Sequence, residues 1–171
     1  PILWSIENPY LYTLKTTLFS GDTACDEVYT RIGIRSIGFY ADKGFFLNGK
    51  RVQVQGVCLH HDNGCLGAAT FKDADRRRIS IMKEMGANAI RLSHNPFAKS
   101  FLDLCDEMGM LVMAEAFDEW RMPKCIPALN HKDMNLKLIV HNYYMDFDRW
   151  HETDLSEFII RERNHPSIFM W

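Results

Sequence analysis

The sequence predicts a mixed α and β chain in two parts: the tail of a β-sandwich, then the first half of a parallel strand–helix domain. Three observations lead there. Residues 1–40 hold two strand-like runs joined by a turn signal, with no helical periodicity. From about residue 41, short apolar strands alternate with stretches of helical apolar spacing. Polar and aromatic residues collect just past the strand ends, where parallel strand–helix domains build their sites. The expected domains are therefore 1–40 and 41–171.

Tyr10 to Phe19 is rich in aromatic and β-branched residues and sets Leu14, Thr16 and Leu18 on one face. Ser20-Gly21-Asp22 is a turn signal. Glu27 to Ile34 reads as a second strand, with Val28, Thr30, Ile32 and Ile34 on one side. Two or three strands bury no core alone, so further strands are expected upstream of residue 1. Asn48-Gly49, between Phe45-Phe46-Leu47 and Arg51-Val52-Gln53-Val54, is a type I′ hairpin signal. Val52 to Val57 is expected to run on as a buried strand.

The spacing predicts a helix from Asp73 to Met85, with Ile79, Met82 and Met85 inward and Gly86 as its stop. Ala89 to Leu92 is a short strand. Phe101, Leu102, Leu104, Cys105 and Met108 mark a second helix that Gly109 ends. Met110 to Ala114 is a third strand, a third helix runs from Phe147 to about Arg163, and Ser167 to Trp171 is a fourth strand. The long segment from Phe117 to Met145 follows the third strand; loops of that length inside a compact domain are usually functional.

Strands joined by helical crossovers are parallel, which leaves an open doubly wound sheet or a (β/α)8 barrel. Leu59 to Lys72, the first strand–helix turn, has no GxGxxG and no P-loop, which weakens a nucleotide-binding sheet. His60-His61-Asp62, Ser93-His94-Asn95-Pro96 and Asp118-Glu119-Trp120 all follow strand ends. In a barrel these loops meet at the C-terminal face. Four strand units where a barrel needs eight predict a chain cut at Trp171 in mid-barrel.

Composition narrows the partners. The 171 residues are 47% hydrophobic and 25% charged, with net charge −2. That balance gives no basic field for nucleic acid or an anionic membrane, and no apolar run approaches the ~20 residues of a membrane helix. Cysteines at 25, 58, 65, 105 and 125 form no CxxC pair and are expected as free thiols. Cys58 and Cys105 lie in apolar stretches and are expected in the core. No Cys/His spacing resembles a zinc site, and neither metal nor cofactor is expected. Compartment and oligomeric state stay open, a homo-oligomer of the longer protein among the options.

Asn88 to Pro96 is the most informative stretch. It sets Arg91 inside a strand and His94 at its mouth. A buried Arg needs an acid, supplied either by a strand outside this chain or by Glu115. The stretch resembles the first signature of glycoside hydrolase family 2, the β-galactosidase and β-glucuronidase family, and the likeness continues through Leu104 to Val112. Glu162 to Trp171 resembles the start of that family's second signature. Trp4 with Asn8-Pro9-Tyr10-Leu11-Tyr12 is similar to the immunoglobulin-like domain preceding the family's barrel, and Gly56 to Asp62 to its first barrel strand and loop.

The resemblance implies an immunoglobulin-like sandwich tail followed by the first half of a TIM barrel. It also implies a retaining exo-glycosidase, β-galactosidase-like, acting on a β-linked oligosaccharide or glycoside. Such enzymes use an acid/base and a nucleophile carboxylate roughly 5 Å apart. The family's second signature ends on an Asn-Glu a few residues past Trp171, so no catalytic residue is assigned within the chain. By the same resemblance, substrate-binding residues are His60, His61, Asp62, His94, Asn95, Asp118 and Trp120, and Arg91 orients the nucleophile. The β-galactosidase type carries a Glu-x-His metal motif after its third strand; here Glu119-Trp120-Arg121 puts a cation in the ligand's place, against that magnesium site. A carbohydrate-binding pseudoenzyme of the same fold is the alternative. Plainer roles stand beside these: His60 and His61 as loop caps, His94 as a turn residue, Arg91 as a structural ion pair, Asp118 as a solvated acid and His165 as structural.

Overall fold

The computed structural model describes residues 1–122 and 142–171. The expected free thiol at Cys125 and most of the segment between Phe117 and Met145 lie outside the described residues.

The chain opens with an antiparallel pair, β1 (Tyr12–Ser20) and β2 (Thr23–Ile32), joined through Gly21 at φ 61 and broken by a register shift at Leu18/Phe19. Its predicted apolar face is open: Leu14, Leu18 and Val28 are all exposed. A three-stranded antiparallel sheet follows, made of β3 (Ile37–Tyr40), β4 (Gly44–Leu47) and β5 (Lys50–Arg51). Asn48 and Gly49 take φ 52 and φ 76 at the β4–β5 turn, the two left-handed positions a type I′ turn requires.

The third sheet is parallel and holds β6 (Gly56–His60), β7 (Ala89–Ser93), β8 (Leu111–Ala114) and β9 (Ile168–Met170), in that order. Helices α1 (Lys72–Glu84), α2 (Lys99–Met108) and α3 (Phe147–Glu162) lie between consecutive strands. A doubly wound sheet reverses its strand order at a switch point. Here the order advances one strand at a time without reversal, which is how a (β/α)8 barrel is laid down. Tail strands followed by barrel units are the architecture expected from the sequence.

Alternation along the strands divides the core into two layers. Leu59, Ile90, Leu92, Val112, Ala114 and Ile168 pack against Ile79, Phe101, Leu102, Leu104, Cys105 and Phe158 of the helices. Ala89, Leu111 and Phe169 instead pack with Trp4, Phe45 and Leu47, so the first fifty residues close the N-terminal end of the parallel strands. Trp4 is fully buried, and its Nε1 donates to the Asp106 carbonyl at 2.9 Å. Arg35 donates to the carbonyls of Pro166 and Ile168. Gly109, at φ 67, ends α2 where Ile6 passes; a Cβ there would meet the Ile6 carbonyl oxygen at 2.2 Å.

Three expectations need correction. The strand expected from Val52 to Val57 is absent over residues 52–55; β6 begins at Gly56. The Asn88 side chain causes the shift: its Nδ2 donates to Gln53 O at 2.8 Å, and its Oδ1 accepts from Gln55 N at 2.8 Å. Those backbone groups are therefore occupied before the ladder starts. Met85 lies beyond the last turn of α1 and is 73% exposed, so it is no core residue. Cys58 is exposed, because Val57 and Leu59 take the helix-facing positions of β6. Cys105 is buried as expected, and Cys25, Cys58, Cys65 and Cys105 are free thiols.

A buried polar knot ties α2, α3 and β9 together. His165 Nδ1 lies 2.6 Å from Asp106 Oδ2 and its Nε2 lies 3.2 Å from Glu162 Oε2. The Ser167 amide donates to Asp106 Oδ1 at 3.1 Å. Burial opposes a charge on His165, but the two carboxylates prevail and raise its pKa from 6.5 to about 9. His165 is thus structural. Asp103, Asp106 and His165 bring donor atoms within 4.8 Å of one another, yet a protonated imidazole donates through both nitrogens and offers no lone pair to an ion.

Candidate active site

Strand alternation aims the site. With Val57 and Leu59 turned to the helices, Cys58 and His60 of β6 face the other way. On β7 the same logic turns Arg91 and Ser93 inward, and on β8 it turns Met113 inward. Register aligns Cys58 with Arg91 and Arg91 with Met113, and His60 with Ser93. His94 and Glu115 follow at the C-terminal ends of β7 and β8.

These side chains converge. Arg91 Nε donates to Glu115 Oε1 at 2.5 Å. Arg91 Nη1 lies 3.5 Å from Cys58 Sγ and its Nη2 lies 3.1 Å from His94 Nδ1. The same His94 Nδ1 lies 2.9 Å from Glu115 Oε2. His60 and His94 meet edge to face, with ring centroids 5.1 Å apart. Burial alone would raise the Glu115 carboxyl, but hydrogen bonds from Arg91 and His94 hold it below its ordinary 4.5. The hydrogen bonds to Glu115 and Cys58 raise the Arg91 pKa above its ordinary value. Of the two carboxylate sources left open for Arg91, Glu115 is the one present.

The other expected residues are dispersed around this centre. His61 turns away and lays its ring on Phe97, with centroids 4.0 Å apart. It lines a small cavity with Asn63, Thr70, Asp75 and Arg78, and burial lowers its pKa. Asp62 accepts from the Gly64 amide at 3.1 Å, an Asx turn that holds the loop after β6. Asn95 and Asp118 are exposed. Trp120 is 66% exposed and stacks on Phe147 at 5.8 Å, beside Phe117, which stacks on Tyr143 at 5.0 Å. Arg121 is paired with Asp148 at 2.6 Å.

One participant escapes the sequence reading: Cys58, expected in the core, faces the site. Glu115 is one of the two acids the sequence offers Arg91, and its bond to His94 is the added feature. Counting by twos from Met113 puts Glu115 on the inward face, and that was the available signal.

Comparison with known proteins fits this geometry. A family model described as "Glycosyl hydrolases family 2, TIM barrel domain" matches residues 40–171, and one described as "Glycosyl hydrolases family 2" matches residues 1–35. The beta-galactosidase BoGH2A of Bacteroides ovatus is 50% identical over 171 residues, which is 100% of this chain and 18% of that protein. A putative beta-glucuronidase of Formosa agariphila is 42% identical over 100% of this chain and 15% of its own length. The crystal structure of a glycosyl hydrolase family 2 member from Bacteroides cellulosilyticus superposes with a TM-score of 0.88 at 46% identity, covering 100% of this chain and 20% of that one. The chain thus spans between 15% and 20% of the length of these relatives. With both family models matched in order along it, this chain belongs to glycosyl hydrolase family 2.

Proposed function

We propose that this chain serves, within a longer protein, as the sugar-binding part of a retaining exo-glycosidase that hydrolyses terminal β-glycosidic bonds, most simply a β-galactoside. In this reading residues 1–40 end an immunoglobulin-like domain and 41–171 begin the catalytic barrel. The observation that carries it is the convergence of His60, Arg91, His94 and Glu115 at the C-terminal ends of β6, β7 and β8, in a family whose relatives include proteins named as β-galactosidases and β-glucuronidases.

Each residue has a role that follows from its chemistry. The imidazoles of His60 and His94 hydrogen-bond hydroxyls of the sugar in the −1 subsite, and such bonds strengthen as oxocarbenium charge develops. Arg91 has donors to spare beyond its bond to Glu115, and with them it holds the nucleophile carboxylate ionised and aimed. Trp120 offers a flat apolar face on the outer rim, where Asn95 and Asp118 supply polar contacts. His61 and Asp62 keep the loop after β6 in place, so that His60 stays at the mouth. The acid/base and nucleophile carboxylates belong to the longer protein beyond Trp171.

The test is the longer protein's own reaction. Its coding sequence is expected to reach an Asn-Glu shortly after Trp171. Proton NMR of 4-nitrophenyl β-D-galactopyranoside hydrolysis is expected to show the β anomer of the sugar first. An α-first product contradicts retention. Sugar binding without turnover of β-galactoside or β-glucuronide identifies a binding protein instead.

A further inference from the structure

The nitrogen His94 Nδ1 has two neighbours that ask opposite things of it. Glu115 Oε2, at 2.9 Å, only accepts, so it needs a proton on Nδ1. Arg91 Nη2, at 3.1 Å, only donates, so it needs a bare lone pair there. A neutral imidazole satisfies one of them, and the choice fixes what its other nitrogen does.

The surroundings decide for Glu115. Its contact is the shorter of the two. Arg91 already donates to Glu115 Oε1 at 2.5 Å and approaches Cys58 Sγ at 3.5 Å, so its charge is answered without His94. Glu115 is held ionised, and an anion beside Nδ1 favours a proton on that atom. Among the described residues, His60, edge-on to the His94 ring, is the remaining titratable group that meets it.

We infer that Glu115 is a positioning residue that fixes His94 in its Nδ1–H tautomer, leaving Nε2 as an acceptor for a sugar hydroxyl. The sugar contact rests on the proposed glycosidase reading; the tautomer does not. The consequence is directional. A hydroxyl bound by His94 donates to it, and that bond withdraws proton density from the sugar oxygen. The opposite tautomer would donate to the sugar instead.

The experiment uses the full-length protein labelled with 15N-histidine. A two-bond 15N–1H correlation spectrum reports which ring nitrogen carries the proton, and His94 is identified by the signal lost in His94→Gln. The expected result is a protonated Nδ1 and a bare Nε2. A protonated Nε2 with a bare Nδ1 overturns the inference whatever the enzyme's activity. In Glu115→Gln the side-chain amide offers a donor to Nδ1, so the tautomer is expected to flip. The kcat/KM on 4-nitrophenyl β-D-galactopyranoside is expected to fall at least tenfold, with part recovered in Glu115→Asp. An unchanged tautomer and rate in Glu115→Gln also overturn it. If Glu115→Gln does not fold, the wild-type spectrum decides alone. The Nδ1–H tautomer in a wild-type protein inert to β-glycosides supports this assignment and contradicts the glycosidase reading.

Discussion

Raising the pH from neutral is expected to loosen the joint between α2, α3 and β9, and His165 sets the size of the effect. Its side chain is 7% exposed, and its carboxylate partners Asp106 and Glu162 are 8% and 0% exposed. Burial works against the imidazolium, and the two carboxylates more than offset it, raising the pKa from 6.5 to about 9. The folded state therefore binds this proton more tightly than the unfolded chain. The stabilisation is complete below about 6.5, shrinks as the pH rises and is gone above about 9. The gap between those values corresponds to roughly 3 kcal/mol, at about 1.4 kcal/mol per pH unit. That is a sizeable share of a domain stability of about 5–15 kcal/mol. The assay is urea unfolding of the full-length protein between pH 6 and 9.5, followed by tryptophan fluorescence, for wild type and His165→Gln. Gln removes the cation that joins Asp106 to Glu162, leaving Glu162 to Arg161 and Asp106 to the Ser167 amide, at a cost of about 3–5 kcal/mol. The wild-type midpoint is expected to fall between pH 6.5 and 9 while the variant starts lower and stays flatter, so that the curves converge. Parallel curves across that window refute the reasoning.

Two further outcomes follow from packing and from the site. Gly109→Ala is expected to lose about 1–3 kcal/mol, because φ 67 suits glycine and the added Cβ meets the Ile6 carbonyl at 2.2 Å. Gly21→Ala, at φ 61 with nothing within 4 Å, is expected to lose about 1 kcal/mol or less; equal shifts in the urea midpoint contradict this account of the N-terminal segment. Arg91→Lys keeps a cation but loses the fork that spans Glu115, Cys58 and His94. On a nitrophenyl glycoside, kcat is expected to drop at least tenfold with a smaller change in KM, and an unchanged kcat counts against Arg91 acting on the reacting groups.

What the sequence told correctly was local. Asn48-Gly49 makes its turn because both residues tolerate positive φ, and that preference needs no distant partner. Gly86 and Gly109 stop their helices for the same reason. The apolar spacing of Phe101, Leu102, Leu104 and Cys105 marks the buried face of α2 because the period of a helix is fixed. The errors arose where a remote group intervened. Asn88 takes the backbone of Gln53 and Gln55 from more than thirty residues away, which moves the start of β6. A hydrophobic neighbourhood told nothing of which face of β6 carries Cys58. The meeting of Arg91 with Glu115, and of His60 with His94, depends on strand register, which a linear pattern does not specify. The residues at the site were named from a family signature, whereas their mutual geometry came from the fold.

The measurement that tests the central claim most directly is the hydrolysis of 4-nitrophenyl β-D-galactopyranoside and its β-glucuronide counterpart by the full-length protein, wild type beside His94→Ala. Removing hydrogen bonds that strengthen in the transition state is expected to lower kcat/KM on the preferred substrate by at least about a hundredfold, mostly in kcat, while the urea midpoint barely moves. Equal kcat/KM for the two proteins would contradict a sugar-binding rim built from His60, Arg91, His94 and Glu115, and a wild type that hydrolyses neither glycoside would contradict the glycosidase reading.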